Sequence, residues 1–204
     1  MPKNVDHEQR REELLAAVWA VIARDGLEKA TIRSLAKETG WSSGVLAHYF
    51  ADKDDILASA LRLALERIEE RWDEKLAGLT GLAALRELVL DNLPLDDDRE
   101  QETRFLMNYW SRSIRQGPSE DEHTWRRGPL LVDRLAALVA EGQEAGEVVG
   151  GDPNDLAERL LALIDGLSLH ALLDPQRVTR ERQVALAEQE LGRLSVGQSQ
   201  GERR

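Results

Sequence analysis

Residues 31 to 57 read Thr31-Ile32-Arg33-Ser34-Leu35-Ala36-Lys37-Glu38-Thr39-Gly40-Trp41-Ser42-Ser43-Gly44-Val45-Leu46-Ala47-His48-Tyr49-Phe50-Ala51-Asp52-Lys53-Asp54-Asp55-Ile56-Leu57. Ile32, Leu35 and Ala36 fall at i, i+3 and i+4, one apolar stripe of a short helix. The Thr31 hydroxyl can take up an unpaired amide of its first turn. Gly40 follows the last periodic residue and can adopt the left-handed conformation that ends a helix. Ser42 or Ser43 can cap the next helix, and Val45 and Leu46 are expected to bury one side of it against the first. The other side then carries Ser43, Gly44, Ala47 and His48. Asp52 opens a third helix, with Asp54 and Asp55 in a first turn where the helix dipole favours acids. Lys53 stands among these acids, and a phosphate partner would account for it.

A helix face turned to solvent normally carries Lys and Glu. This one carries small and hydrogen-bonding residues. Small residues let a helix approach base edges, and hydroxyl and imidazole groups can bond bases or phosphates. A short protruding helix of this kind fits the major groove of DNA. The same geometry also serves two packed helices of a bundle, and local physics leaves both readings open. A helical protein–protein interaction module without DNA binding is the alternative function.

Outward from this stretch the pattern is wider. A first helix ending in Gly26 precedes Thr31-Ile32-Arg33, Leu35-Ala36, Gly40, Ser42-x-Gly44, His48-Tyr49-Phe50, Lys53 and Ile56-Leu57. Over residues 10 to 60 the chain resembles the TetR family of bacterial transcriptional regulators. Most of that family has Tyr where Ala47 stands, and Ala47-His48-Tyr49-Phe50 resembles the choline-responsive BetI-type subgroup. The stretches at 93–98 and 172–175 resemble the C-terminal domain of the same subgroup. The resemblance implies an all-α fold. It places a three-helix helix-turn-helix DNA-binding domain at 1–53 and a helical ligand-binding and dimerisation domain at 54–196. It also implies a homodimeric repressor, released from a palindromic double-stranded DNA operator by a small-molecule effector. The DNA-binding set is then Thr31, Arg33, Ser42, Ser43, Gly44, Val45, His48, Tyr49 and Lys53. Arg33 would meet a base or phosphate, and Ser43, Gly44 and Val45 base edges. His48 and Tyr49 would meet the backbone or a thymine methyl, and Lys53 a phosphate.

The net charge of −11 looks wrong for a DNA binder. Residues 1–53, however, carry eight Lys/Arg and eight Asp/Glu, so the whole excess belongs to 54–204, with 19 bases against 30 acids. Binding should lean on a few placed contacts and on two heads acting together. Aromatics make up only 4% of the chain, which suits helices rather than sheets, and zero cysteines exclude disulfides and thiol catalysis. No apolar run reaches ~18 residues and no basic-then-apolar leader is present, so a cytoplasmic location and no membrane partner are expected.

Leu14, Val18, Val21 and Ile22 mark an amphipathic helix over 8–24. Further helices are expected at 52–77, 81–93, 99–116, 123–146, 153–173 and 179–194, separated by Gly78 and Gly81, Pro94 with its acids, Gly117-Pro118, Gly150-Gly151-Asp152-Pro153 and Asp174-Pro175. The tail 197–204 is polar and expected to be disordered. Within 153–173, Leu156, Leu160, Leu163, Ile164 and Leu167 make one face, while Leu161, Leu169, Ala171 and Leu172 fill much of the rest. A helix apolar all round must be covered twice, as a central core helix or by a second subunit about a two-fold axis. The resemblance implies the dimer, built from the last two helices, with Leu161, Leu169, Leu172, Leu186 and Leu191 at the interface.

Trp72, Trp110 and Trp125 lie in the body, and Phe105 and Tyr109 share a helix face at i, i+4. Large aromatics are more often core than ligand cage, yet pockets are aromatic-lined with a few polar groups. Trp72, Phe105, Asn108, Tyr109, Trp110 and Trp125 are the candidate ligand residues. The effector is a cationic amine held by tryptophan faces, or a neutral hydrophobic compound. Glu120-x-x-His123 has di-iron spacing but lacks a second such pair. No nucleophile elbow, phosphate loop or zinc spacing is present. No catalytic residue, metal or cofactor is therefore expected.

Overall fold

The computed structural model describes residues 14–19, 21–22, 24–26, 29, 31–116 and 127–197, with side chains left undescribed at His48, Tyr49, Lys53, Ser113, Gln116 and 127–129. Trp125, Glu120, His123, the expected first turns at 8 and 123, and the tail after Gly197 lie outside the described residues.

The described residues form nine helices. Helix α1 includes residues 14–19, 21, 22, 24 and 25. It is followed by α2 (Ile32–Thr39), α3 (Ser43–Tyr49), α4 (Lys53–Leu76), α5 (Gly81–Asp91), α6 (Asp97–Gln116), α7 (Arg127–Glu144), α8 (Pro153–Leu173) and α9 (Arg180–Leu194). Local chemistry sets the starts. Asp152 accepts the Asn154 N–H at 2.8 Å ahead of first-turn Pro153. Asp96 accepts the Arg99 N–H at 2.9 Å and starts α6 two residues before the expected 99. No helix among the described residues is long and apolar enough to cross a membrane.

One extended contact was not foreseen. Val148 and Ser195 form an isolated antiparallel bridge. The Val149 N–H donates to the Leu194 carbonyl at 2.7 Å and the Val196 N–H to the Glu147 carbonyl at 3.0 Å. These bonds tie the α7–α8 connection to the chain leaving α9. Beneath them, a Cβ on Gly142 would lie 2.5 Å from the Val148 side chain, so only glycine fits there.

Contacts group the described residues into two compact units, one from Met1–Ile68 and Arg104–Thr124, the other from Glu69–Thr103 and Trp125–Arg204. Helices α4 and α6 each contribute to both. In the first unit α2 packs on α3. In the second, α7 packs on α5 and α8, and α9 on α5 and α8. Helix α8 buries Leu156, Ala157, Leu160, Ile164, Leu167 and Ala171, each large side chain contributing about 1.5–3 kcal/mol. Leu163, expected on that face, is only half-buried.

The second unit also holds a charged knot. The Asp91 side chain is 1% exposed and accepts from Arg71 Nε at 2.8 Å, Lys75 Nζ at 2.8 Å and Arg99 Nη2 at 3.0 Å. Arg71 donates to Glu102 at 2.9 Å as well. Arg71 and Lys75 are one turn apart on α4, so the knot joins α4, α5 and α6.

Candidate DNA-binding head and effector site

The head is built from its caps. Thr31 Oγ1 accepts the Ser34 N–H at 3.1 Å, and Ser34 Oγ accepts the Thr31 N–H at 2.9 Å, a reciprocal capping box. Gly40 closes α2 at φ 70°. Between the two candidate caps of α3, the structure selects Ser42, whose Oγ accepts the Val45 N–H at 3.3 Å. Asp52 Oδ1 accepts the Asp55 N–H at 2.9 Å and starts α4.

Leu35, Leu46 and Phe50 are buried, and they anchor α2 and α3. Ser43, Gly44 and Ala47 are exposed, as the spacing predicts. Val45 is not buried beside Leu46 as expected; it is 41% exposed. Neighbouring residues point 100° apart on a helix. A seven-residue helix anchored through Leu46 therefore turns Val45 outward. Arg33 and Lys37 are exposed on α2. Arg24 pairs with Glu38 at 3.0 Å and with Asp25 at 2.9 Å, clamping the end of α1 to α2. The Arg24 guanidinium holds the Glu38 carboxyl below its ordinary range by hydrogen bond and charge.

The C-terminal half of α6 belongs to the same unit as the head. Trp19 and Phe105 lie ring to ring at 5.4 Å, and Phe105 and Tyr109 at 5.2 Å. The Tyr109 hydroxyl donates to the Leu57 carbonyl of α4, and burial pushes the phenol up. Arg112 donates to Asp54 at 2.7 Å.

These contacts revise the aromatic set. Phe105 has no accessible surface and Tyr109 is buried with its hydroxyl engaged. Neither ring has an open face for a ligand, because both are packed into the first unit. Asn108 and Trp110 are half-buried. Trp72 is buried in the second unit, and its Nε1 has no hydrogen-bond partner among the described residues.

On α8, Leu161 and Leu172 are half-buried, Leu169 is 42% exposed and Leu173 70% exposed. At 100° per residue they follow one side of the helix. Leu186 on α9 is half-buried. Leu191 is 4% exposed; packed inside its own chain, it has almost no surface to offer a partner.

Residues 14–60 match the family model of bacterial regulatory proteins of the tetR family. Residues 81–196 match that of the BetI-type transcriptional repressor C-terminal domain. The chain belongs to the TetR family. It is 35% identical over 186 residues to the HTH-type transcriptional regulator PksA of Bacillus subtilis, covering 89% of this chain and 88% of that protein. It is 37% identical over 190 residues to the HTH-type transcriptional regulator BetI of Stenotrophomonas maltophilia, covering 79% of this chain and 93% of that protein. Among solved structures, a transcriptional regulator from Saccharomonospora viridis in complex with choline aligns with a TM-score of 0.80 at 26% identity, covering 89% of this chain and 95% of that one.

This TetR-family chain is accordingly a helix-turn-helix transcriptional regulator and not an enzyme. Its sequence marks Asp54 only as a first-turn acid and does not single out Trp19 or the pairing of Arg112 with Asp54. A signal was present: Phe105, Tyr109 and Arg112 stand at i, i+4 and i+7, one face of α6. That face packs within the head's unit of the TetR-family chain.

Proposed function

We propose that the protein is a homodimeric, cytoplasmic repressor, released from a palindromic operator when a small molecule binds the body. The exposed small-residue face of α3, standing beyond two capped turns, is the observation that carries the DNA-reading role. Ser43, Gly44 and Val45 approach base edges, Arg33 meets a base or phosphate, and Thr31 and Ser42 contribute hydroxyls beside their capping bonds. His48, Tyr49 and Lys53 complete the set through the backbone. Dimerisation uses Leu161, Leu169 and Leu172 of α8 with Leu186 of α9, so that two recognition helices meet half-sites about one DNA turn apart. The domain division at 1–53 and 54–196 belongs to the same reading.

The effector is a cationic amine. The acidic body and the choline bound to the Saccharomonospora relative support this. Trp72 and Trp125 are its proposed contacts in the body, with cation–π attraction as the main force. Helices α4 and α6 run through both compact units, so displacing either in the body alters the head. Ordinary coupling requires the effector to favour the non-DNA state by about 1–3 kcal/mol.

A thermal-shift screen tests the effector class. Choline-like amines and polyamines should stabilise the protein. Stabilisation by neutral lipophiles alone overturns the amine reading in favour of a hydrophobic compound.

A further inference from the structure

At the corner between α8 and α9 the second unit encloses a cleft of about 270 Å³. None of the proposed effector contacts lines it. Pro94, Ala171 and Val178 give it an apolar side, and Glu100, Glu181 and Gln183 its polar groups. Arg180 also borders it, is bonded to Asp97, and its charge acts on both Glu100 and Glu181. Two carboxylates against one guanidinium leave the lining net negative.

Gln183 is the decisive group. It is 2% exposed, its Nε2 donates to the Val178 carbonyl at 3.3 Å, and its Oε1 has no hydrogen-bond partner among the described residues. The carbonyl fixes the amide's orientation, since a flip would set oxygen against oxygen. A buried acceptor left unmet is costly and calls for a donor. Nothing in an apolar guest could supply one, and an anion would meet two carboxylates.

We propose that this cleft is a second ligand site, which takes a small alkylammonium ion bearing N–H donors. One N–H reaches Gln183 Oε1 after a small rotation of that side chain. The positive charge lies toward Glu100 and Glu181, and the alkyl chain lies along Pro94, Ala171 and Val178. A quaternary ammonium carries no N–H and leaves the Gln183 acceptor unmet, so it is discriminated against. That selectivity separates this site from a tryptophan cage, which favours quaternary groups as readily.

Calorimetric titration of the full chain with 1,4-diaminobutane, n-butylamine and tetramethylammonium tests the proposal. Saturable binding of both primary amines is expected, at least tenfold weaker in Gln183→Met and in Glu181→Gln. Tetramethylammonium should bind at least tenfold more weakly than n-butylamine. Glu181 is exposed, so Glu181→Gln reports on the site even if Gln183→Met disturbs the fold. No saturable heat with the primary amines overturns the proposal and leaves a trapped water as the donor to Gln183. Unchanged affinity in Glu181→Gln overturns it too, as does equal binding of tetramethylammonium. Binding that survives both substitutions but is lost in Trp72→Phe places the amine elsewhere, and likewise overturns it.

Discussion

The Arg112 guanidinium on α6 donates to the Asp54 carboxylate in the first turn of α4 at 2.7 Å. Asp54 lies four residues beyond Phe50, the C-cap of the recognition helix. The pair therefore fixes α6 against the start of the helix that carries α3. The Tyr109 hydroxyl makes a second tie one turn away on α6, at the Leu57 carbonyl.

Arg112→Ala should cost little stability, about 0–1 kcal/mol, because Asp54 is exposed. Tyr109→Phe should cost about 1 kcal/mol through its lost hydrogen bond. Both should blunt the effector response more than they weaken ligand binding. Operator titrations with and without a saturating effector measure this. A ratio of affinities equal to that of the unaltered protein would remove α6 from the coupling route.

Operator contacts should separate by type. Arg33→Ala is expected to lose about 1–3 kcal/mol of operator affinity if Arg33 reads a base, and Lys53→Ala to lower the salt slope by about one. Anisotropy titrations at several salt concentrations read both. Unchanged affinity in the first, or an unaltered slope in the second, would strike that residue from the interface.

Acid should loosen the body at the Asp91 knot. Burial alone would push the Asp91 carboxyl up, but hydrogen bonds from Lys75 and Arg71 and their charges outweigh it, so the group titrates below its ordinary 3.8. A depressed carboxyl stabilises the fold above its unfolded value. That contribution is lost as pH falls from about 3.8 through the lower folded value. Asp91→Asn should remove this acid-dependent share and cost about 3 kcal/mol at neutral pH, since it leaves three cations around a neutral group. Denaturant melts from pH 6 to pH 2 check it.

Subunit contact should reside in α8. Leu169→Glu and Leu173→Glu are expected to give folded monomers with sharply reduced operator affinity, as judged by sedimentation and circular dichroism. Leu191→Ala should instead lower stability by about 2–5 kcal/mol without a specific effect on association, because Leu191 is buried in its own chain.

Much of this was legible in the sequence because it is local. Thr31, Ser42, Asp52 and Asp152 accept amides within three residues, and Gly40 turns left-handed where α2 ends, so their capping roles follow from type and position. The family and its two-part plan were legible for a similar reason, through spaced motifs. What escaped depends on distant partners. Apolar spacing places Val45 in the core because it does not fix which way a seven-residue helix rolls. Phe105 and Tyr109 stay candidates for a ligand wall in the sequence because it cannot show Trp19 and the Leu57 carbonyl closing over them. Asp91 carries no sequence signal of its own, and only the fold brings Arg71, Lys75 and Arg99 around it.

The most direct test of the central claim is a fluorescence-anisotropy titration of the duplex upstream of the protein's own gene, with and without the effector that raises its melting temperature. The account predicts saturable binding to a palindromic site by a dimer, much tighter than to random duplex and weakened several-fold or more by effector. Binding no tighter than to random duplex, or operator affinity indifferent to a ligand that demonstrably binds the protein, would contradict it.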